Sequence, residues 1–295
     1  MKNNEIVALA ARHGLHITDD IHFNEMGIDF SVGFATDLNG DQWVLRIPRR
    51  PDMSAQIRGE QNILQLAQEY LSVAVPDWQI VSDEFIAYPL LPDPPALTFD
   101  ARTYAVTWNM DMQDPRYVTS LADTLVELHR ISLDELAKKG VKSSTIATSR
   151  QELLEQIQLV KRELGMAHSL EKRWLQWVDN DLLWPDFTVF VHGDLYAGHI
   201  LVNTEATVTG IIDWSEGQGN DPSMDFAGHI AAFGEDSLRE LITVYERNGG
   251  RVWDKLFEQA VERHSASALR YAVFALTTQE EVHLQAVKAQ LGVEL

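Results

Sequence analysis

The sequence predicts an α+β protein of two lobes: an antiparallel sheet carrying one key helix, then a larger, mainly helical body. Three observations lead there. Short strand patterns surround an Asn39-Gly40 turn near the N-terminus. Apolar residues recur at helical spacing through most of the second half. Between them two apolar runs, 190–202 and 208–212, each carry a few polar groups. At 295 residues the chain has the length of about two domains of roughly 150 residues, and the expected division is 1–91 and 92–295.

Asn3 is placed to cap a first helix whose apolar stripe is Ile6, Val7, Leu9 and Ala10, with Gly14 to end it. Strands are expected over 22–26 and 32–38, around the loop Gly27-Ile28-Asp29-Phe30-Ser31. Asn39-Gly40 then makes a tight hairpin into a third strand over 41–47. Arg46 is the only charge within Trp43–Ile47 and shares a face with Val44. A charge inside an apolar strand is costly unless it is paired, and the partner is expected in the next helix, about 53–70. There Ile57, Glu60, Leu64, Ala67 and Leu71 keep a 3-4-3-4 spacing, so Glu60 lies on the apolar stripe. Such a pair can hold phosphates or be a structural salt bridge alone. Ser31 can donate to a phosphate or be an ordinary turn serine. The loop before it has Gly27 but no G-x-G-x-x-G, so by itself it says little.

Residues 85–92 read as a last strand running into a proline-stiffened connection. Beyond it the texture is helical. Val118, Leu121, Leu125 and Leu128 mark one helix, and Ile157, Val160 and Leu164 another. His129 follows the first stripe and is expected to be structural, while Trp174, Trp177 and Trp184 are expected in the core. Helices are expected again from about residue 235 to the C-terminus.

Residues 190–202 read FVHGDLYAGHILV and residues 208–214 read VTGIIDW. Each is expected to be a buried strand delivering polar groups at one end: Asp194, His199 and Asp213. A carboxylate, a ligand-capable side chain five residues on and a further carboxylate on the next strand form the set that phosphoryl transfer needs. One carboxylate orients the acceptor hydroxyl, and two ligands hold Mg2+ against the nucleotide phosphates. The pattern H-G-D-x-x-x-G-x-[ILV] followed by I-[IL]-D-W resembles the catalytic loop and metal-binding segment of the protein-kinase-like antibiotic phosphotransferases. His199 within GHILV, WVLRIPRR over 43–50 and VPDWQ over 75–79 resemble the macrolide 2'-phosphotransferases among them.

The resemblance runs over nearly the whole chain and implies a two-lobed, protein-kinase-like fold. It implies Asp194 as the catalytic residue, His199 and Asp213 at the metal, and Arg46 with Glu60 at the nucleotide's phosphates beside Ser31. Tyr88 to Leu91 would form the hinge whose backbone bonds the nucleobase, and Asp225 would brace the catalytic loop. Most of the superfamily has Asn at the position of His199 and Lys at that of Arg46. Magnesium prefers oxygen, so His199 either binds the ion weakly or orients a metal-bound water or phosphate. The implied reaction moves the γ-phosphate of GTP, or ATP, to the 2'-hydroxyl of a macrolide's amino sugar and so confers resistance. Such an acceptor joins an apolar lactone to a dimethylammonium group. Phe274, Leu276, Glu280 and Glu281 offer an apolar wall and carboxylates for it, or are simply a helix's core and solvated faces. Aminoglycosides and small-metabolite alcohols are the alternative acceptors on the same fold.

A net charge of −20 argues against a nucleic-acid partner; it suits a cationic ligand, and equally plain solubility. With no cysteine the chain has no disulfide and no thiolate metal site, which fits a reducing compartment. Residues 1–14 carry Glu5 and Arg12 inside their apolar pattern, unlike a signal peptide. No run approaches the ~18 apolar residues of a membrane span. A cytoplasmic protein without membrane or nucleic-acid partners is expected. The reading from another class is a His/Asp metal-dependent hydrolase built on His192, Asp194 and His199. It needs further ligands, and His129, His229, His264 and His283 show no paired spacing. A nucleotide-binding relative without turnover is a third reading, against which Asp194 and Asp213 both speak.

Overall fold

The computed structural model describes residues 2–24, 29–100 and 105–293; Gly27 of the expected phosphate loop lies outside them. Helix α1 (Asn3–Arg12) leads into strands β1 (His22–Asn24), β2 (Phe30–Thr36) and β3 (Gln42–Pro48). Helix α2 (Ser54–Tyr70), strands β4 (Ile80–Val81) and β5 (Ile86–Pro89), and a hairpin of β6 (Leu97–Asp100) and β7 (Ala105–Trp108) follow. Next come helices α3 (Pro115–His129), α4 (Leu133–Lys138), α5 (Ile146–Leu164) and α6 (His168–Asp179). Strands β8 (Val189–Val191), β9 (Ile200–Val202), β10 (Val208–Ile211) and β11 (Gln218–Asn220) precede α7 (Ser223–Arg247), α8 (Leu256–Ser265), α9 (Ser267–Thr278) and α10 (Glu281–Gln290).

The chain forms two compact units, one of Met1–Asp111 with Gly198–Ser215 and one of Met112–Ala197 with Glu216–Leu295. The division therefore does not fall at residue 91. Backbone bonds carry the β9–β10 hairpin into the first unit: Ala74 N–H donates to the Thr209 carbonyl at 2.8 Å, and Ile211 N–H to Ala74 at 2.9 Å. Ala96 N–H donates to Ile200 at 2.7 Å, which brings the segment after the expected hinge along. The sequence reading also missed the β6–β7 hairpin, whose strands are only four residues each.

In the first unit the sheet order is β1-β2-β3-β5-β4, antiparallel throughout. Strand β2 starts at Phe30, two residues before the expected 32, so Ser31 sits in the ladder opposite Ile47 rather than in a loop. It ends at Thr36 because the Asp37 carboxylate takes over: it accepts Asn39 N–H at 2.8 Å, Asp41 N–H at 3.0 Å and the Trp43 indole N–H at 3.3 Å. These bonds widen the expected two-residue turn into a side-chain-closed connection. Ile6, Leu9 and Ala10 of α1 pack on Leu45, Ile47, Phe85 and Ala87, while α2 buries Ile57, Glu60, Leu64 and Ala67 as its spacing requires.

In the second unit Trp174, Trp177 and Trp184 pack with Ile157, Val160, Leu269 and Ala272 of α5 and α9. Their indole N–H groups are satisfied by Ser265, Gln259 and the Trp177 carbonyl, the condition under which a buried tryptophan is stable. Helix α7 begins at Ser223, twelve residues before the expected start near 235. Gly234, at φ +76°, breaks it. The Leu238 and Leu241 stripe that the sequence displays belongs to the half after that break. Among the described residues no helix is long and apolar enough to cross a membrane.

Candidate active site

In the first unit β3 carries Arg46 and α2 carries Glu60, and the two join through two hydrogen bonds, Nη1 to Oε1 and Nη2 to Oε2, the second at 3.1 Å. The Glu60 carboxylate is buried almost completely and the Arg46 side chain mostly. The guanidinium lies over the Phe30 ring at 4.2 Å and the Trp78 ring at 5.2 Å, so aromatic faces replace part of its lost hydration. Burial opposes the Arg46 charge, but Glu60 and then Tyr88 outweigh it and hold the proton above the usual arginine range. Burial pushes the Glu60 carboxyl up against the pull of Arg46, and pushes the Tyr88 phenol up to about 12. The charge of Asp213 is felt at all three.

His199 and Asp213 come from the ends of β9 and β10. Ile212 N–H donates to the His199 carbonyl at 3.0 Å, which brings the two segments side by side. His199 Nε2 then stands 3.4 Å from Asp213 Oδ2. Trp214, fully buried, donates its indole N–H to the Ile211 carbonyl at 2.9 Å and anchors the turn. Asp213 itself has φ +64°, a left-handed conformation that Asp adopts more readily than most residues and that gathers at functional positions. Leu91 lies just past β5; one residue earlier, Leu90 N–H donates to the Gln42 carbonyl at 2.8 Å.

In the second unit the paired strands β8 and β11 flank the loop 192–197. Asp225, in the first turn of α7, is buried, and its carboxylate accepts His192 N–H at 2.9 Å and Gly193 N–H at 2.8 Å. His129 Nε2 bonds the same carboxylate at 3.2 Å, and its Nδ1 meets the Tyr245 hydroxyl at 2.9 Å. A buried chain of Tyr245, His129 and Asp225 thus holds the loop backbone, and only a satisfied chain of this kind is tolerable in a core. Asp194 N–H donates to His192 Nδ1 at 3.2 Å. That bond spends one ring nitrogen of His192 on the backbone rather than on a metal.

Two glycines make the loop possible. Gly193 has φ +83°, and a Cβ there would lie 2.6 Å from the Glu216 carbonyl oxygen. Gly228, one turn into α7, lets the helix approach so closely that a Cβ would lie 2.1 Å from the Leu195 carbonyl oxygen. Gly228 was not singled out in the sequence, and a glycine three residues after a helical Asp225 is the one signal that could have marked it.

Beside Asp194 the second unit encloses a cavity of about 950 Å³. Its carboxylates are Glu152, Glu155, Asp194 and Glu216, matched in number by Lys142, Arg162, Arg263 and Arg270; Leu153, Leu159, Leu195, Met224 and Trp177 supply apolar wall. Phe274, Glu280 and Glu281 stand outside this cavity. Phe274 packs edge-on to His283 at 4.8 Å and near Tyr271 at 6.1 Å. Glu280 occupies the N-cap position of α10 without a side-chain cap bond, its carboxylate 3.6 Å from His283, and Glu281 begins that helix. Phe274, on α9, is engaged with Tyr271 and His283, while Glu280 and Glu281 stand at the start of α10. The structure thus gathers Arg46, Glu60, Tyr88, His199 and Asp213 in one unit, and Asp194 with Asp225 in the other.

Residues 20–258 match the model of the phosphotransferase enzyme family. The chain is 39% identical over 292 residues to the protein YcbJ of Bacillus subtilis (strain 168), covering 98% of this chain and 95% of that one. Among solved structures it is similar to macrolide 2'-phosphotransferase type I (38% identity, TM-score 0.93, 99% and 97% of the two chains). It is similar also to the macrolide 2'-phosphotransferase MphH of Brachybacterium faecium (35% identity, TM-score 0.87, 100% and 99%). On that match and the geometry above, the chain belongs to the phosphotransferase enzyme family and is an enzyme that phosphorylates a hydroxyl group.

Proposed function

We propose that the enzyme transfers the γ-phosphoryl group of GTP, or ATP, to the 2'-hydroxyl of the amino sugar of a macrolide, in the cytoplasm where the donor is abundant, and that this confers macrolide resistance. The observation that carries the acceptor class is the cavity beside Asp194. Its volume of about 950 Å³ lies at the upper end of the ~300–1,000 Å³ range of drug-sized sites. Its carboxylates and cations balance, despite a chain charge of −20. A polycationic aminoglycoside would find no surplus of acid there, whereas a large apolar ring with one ammonium group meets apolar wall and a few carboxylates. The two similar macrolide phosphotransferases support the same acceptor.

In this reading Asp194 accepts a hydrogen bond from the 2'-hydroxyl and aims its oxygen at the γ-phosphorus. The new O–P bond forms as the bond to the β-phosphate oxygen breaks, the nucleoside diphosphate leaves, and the hydroxyl proton passes towards Asp194. Arg46, fixed by Glu60, faces the phosphates with Ser31, and the backbone from Tyr88 to Leu91 bonds the nucleobase. Asp213 and His199 would hold magnesium, which when bound offsets charge on the phosphate oxygens. The residues fit such an ion. Asp213 offers a half-exposed carboxylate. Among the described residues no three His, Cys, Asp or Glu converge, and magnesium asks of the protein only one or two carboxylates beside the substrate phosphates and its own waters. The same fact leaves a His/Asp hydrolase centre without its ligands. His199, with its Nε2 beside Asp213, would bind that ion weakly or orient the phosphate next to it. The test is a product assay with purified protein, magnesium, GTP or ATP and a panel of macrolides and aminoglycosides. Phosphorylation of aminoglycosides but not macrolides would overturn the acceptor assignment.

A further inference from the structure

Arg270, on the first turn of α9, has no part in the mechanism so far. Its Nη1 lies 3.0 Å from Asp194 Oδ1 and donates to the Gly193 carbonyl at 3.1 Å. The peptide between Gly193 and Asp194 is therefore held at both ends, its oxygen by Arg270 and its N–H by His192 Nδ1 at 3.2 Å. On the other side of Gly193, its own N–H is taken by Asp225. Half of the Arg270 side chain and 39% of the Asp194 side chain are exposed, and an ion pair that open to solvent adds little to stability. Its geometry instead addresses the orientation of one carboxylate.

We propose that Arg270 is a positioning residue for Asp194, fixing both the peptide that carries it and the rotamer of its carboxylate. The proposal rests on the reading of Asp194 as the residue that orients the acceptor. A carboxylate on an open loop turns freely about two side-chain bonds, and a misplacement of about 1 Å can cost about 100-fold in rate. The same nitrogen makes both contacts, so the single ammonium of a lysine can reproduce them, while an isosteric apolar chain cannot.

Three measurements on the whole chain test this. With GTP, magnesium and erythromycin, Arg270→Met should lower kcat roughly 10- to 100-fold with the nucleotide KM within about two-fold, and Arg270→Lys should recover most of it. In an Asp194→Asn background Arg270→Met should cost nothing further, because the two act as one unit. Side-chain couplings of Asp194, measured by NMR without any substrate, should show one rotamer in the parent and in Arg270→Lys, and averaging in Arg270→Met. Undiminished kcat in Arg270→Met, a full loss persisting without Asp194, or a single Asp194 rotamer in Arg270→Met would each overturn the assignment. Absence of any acceptor turnover in the parent would instead fault the phosphotransfer reading, and the rotamer measurement would still decide the role of Arg270.

Discussion

The molecule uses an arginine–carboxylate pair twice, and the two settings oppose each other. Arg46 and Glu60 are forked together inside the first unit, the guanidinium over the Phe30 and Trp78 rings and both side chains largely withdrawn from water. Arg270 and Asp194 meet in the second unit at the edge of a cavity, with about half of the arginine in solvent. A buried pair carries a desolvation cost that its mutual attraction only offsets, yet removing one partner is strongly destabilising because the other charge is left buried and uncompensated. An exposed one contributes about 1 kcal/mol at most. On the proposed reading the first pair belongs to the scaffold that presents Arg46, whereas the second orients the Asp194 carboxylate and can be altered without loss of fold.

Of the two pairs, breaking the buried one should have the larger effect on folding. Glu60→Ala leaves a desolvated guanidinium without its counter-charge and should cost roughly 3–5 kcal/mol, seen as a lowered urea midpoint; a change below about 1 kcal/mol would place the pair with the exposed kind.

A buried group with no charge partner sharpens the contrast. His229 is buried, bonds Ser237 at 2.9 Å through Nε2, and is pushed down to about 4 by burial. The fold favours its neutral form, so this contribution is intact above the unfolded value near 6.5 and drains away as pH falls towards 4. The loss amounts to ~3 kcal/mol. His229→Gln should flatten the fall in urea midpoint between pH 7 and pH 5; an equal fall in variant and parent would assign it to other groups.

Asp225→Ala removes the acceptor of two buried backbone N–H groups and should cost roughly 1–3 kcal/mol for each donor left unpaired. The loop 192–197 should lose amide exchange protection first, and unchanged exchange at residues 192 and 193 would contradict the bracing role. The smallest effect is expected for Arg270→Met, whose urea midpoint should move by less than about 1 kcal/mol in stability. A larger shift would mean that the exposed pair is structural after all.

Local chemistry made much of this readable in the sequence. The Arg46–Glu60 pair followed from one charge in an apolar strand and one acid on an apolar helical stripe. The three tryptophans followed from their sheer apolar bulk. What stayed hidden depends on partners distant in the chain. The β6–β7 hairpin is too short to stand out from loop, and β2 kept Ser31 in its ladder because Phe30 is buried beneath Arg46. Phe274 and Glu280 both meet His283, a contact that needs the α9–α10 turn to exist and that no spacing announces. Arg270 gave no signal at all, since its partners lie 76 and 77 residues away.

The most direct test of the account is mass spectrometry of erythromycin after incubation with magnesium, GTP or ATP, and either the parent protein or Asp194→Ala. The account predicts one added phosphoryl group at the 2'-oxygen with the parent, and a rate lower by about 10²- to 10⁴-fold with the variant. Equal phosphorylation by the two proteins would contradict it.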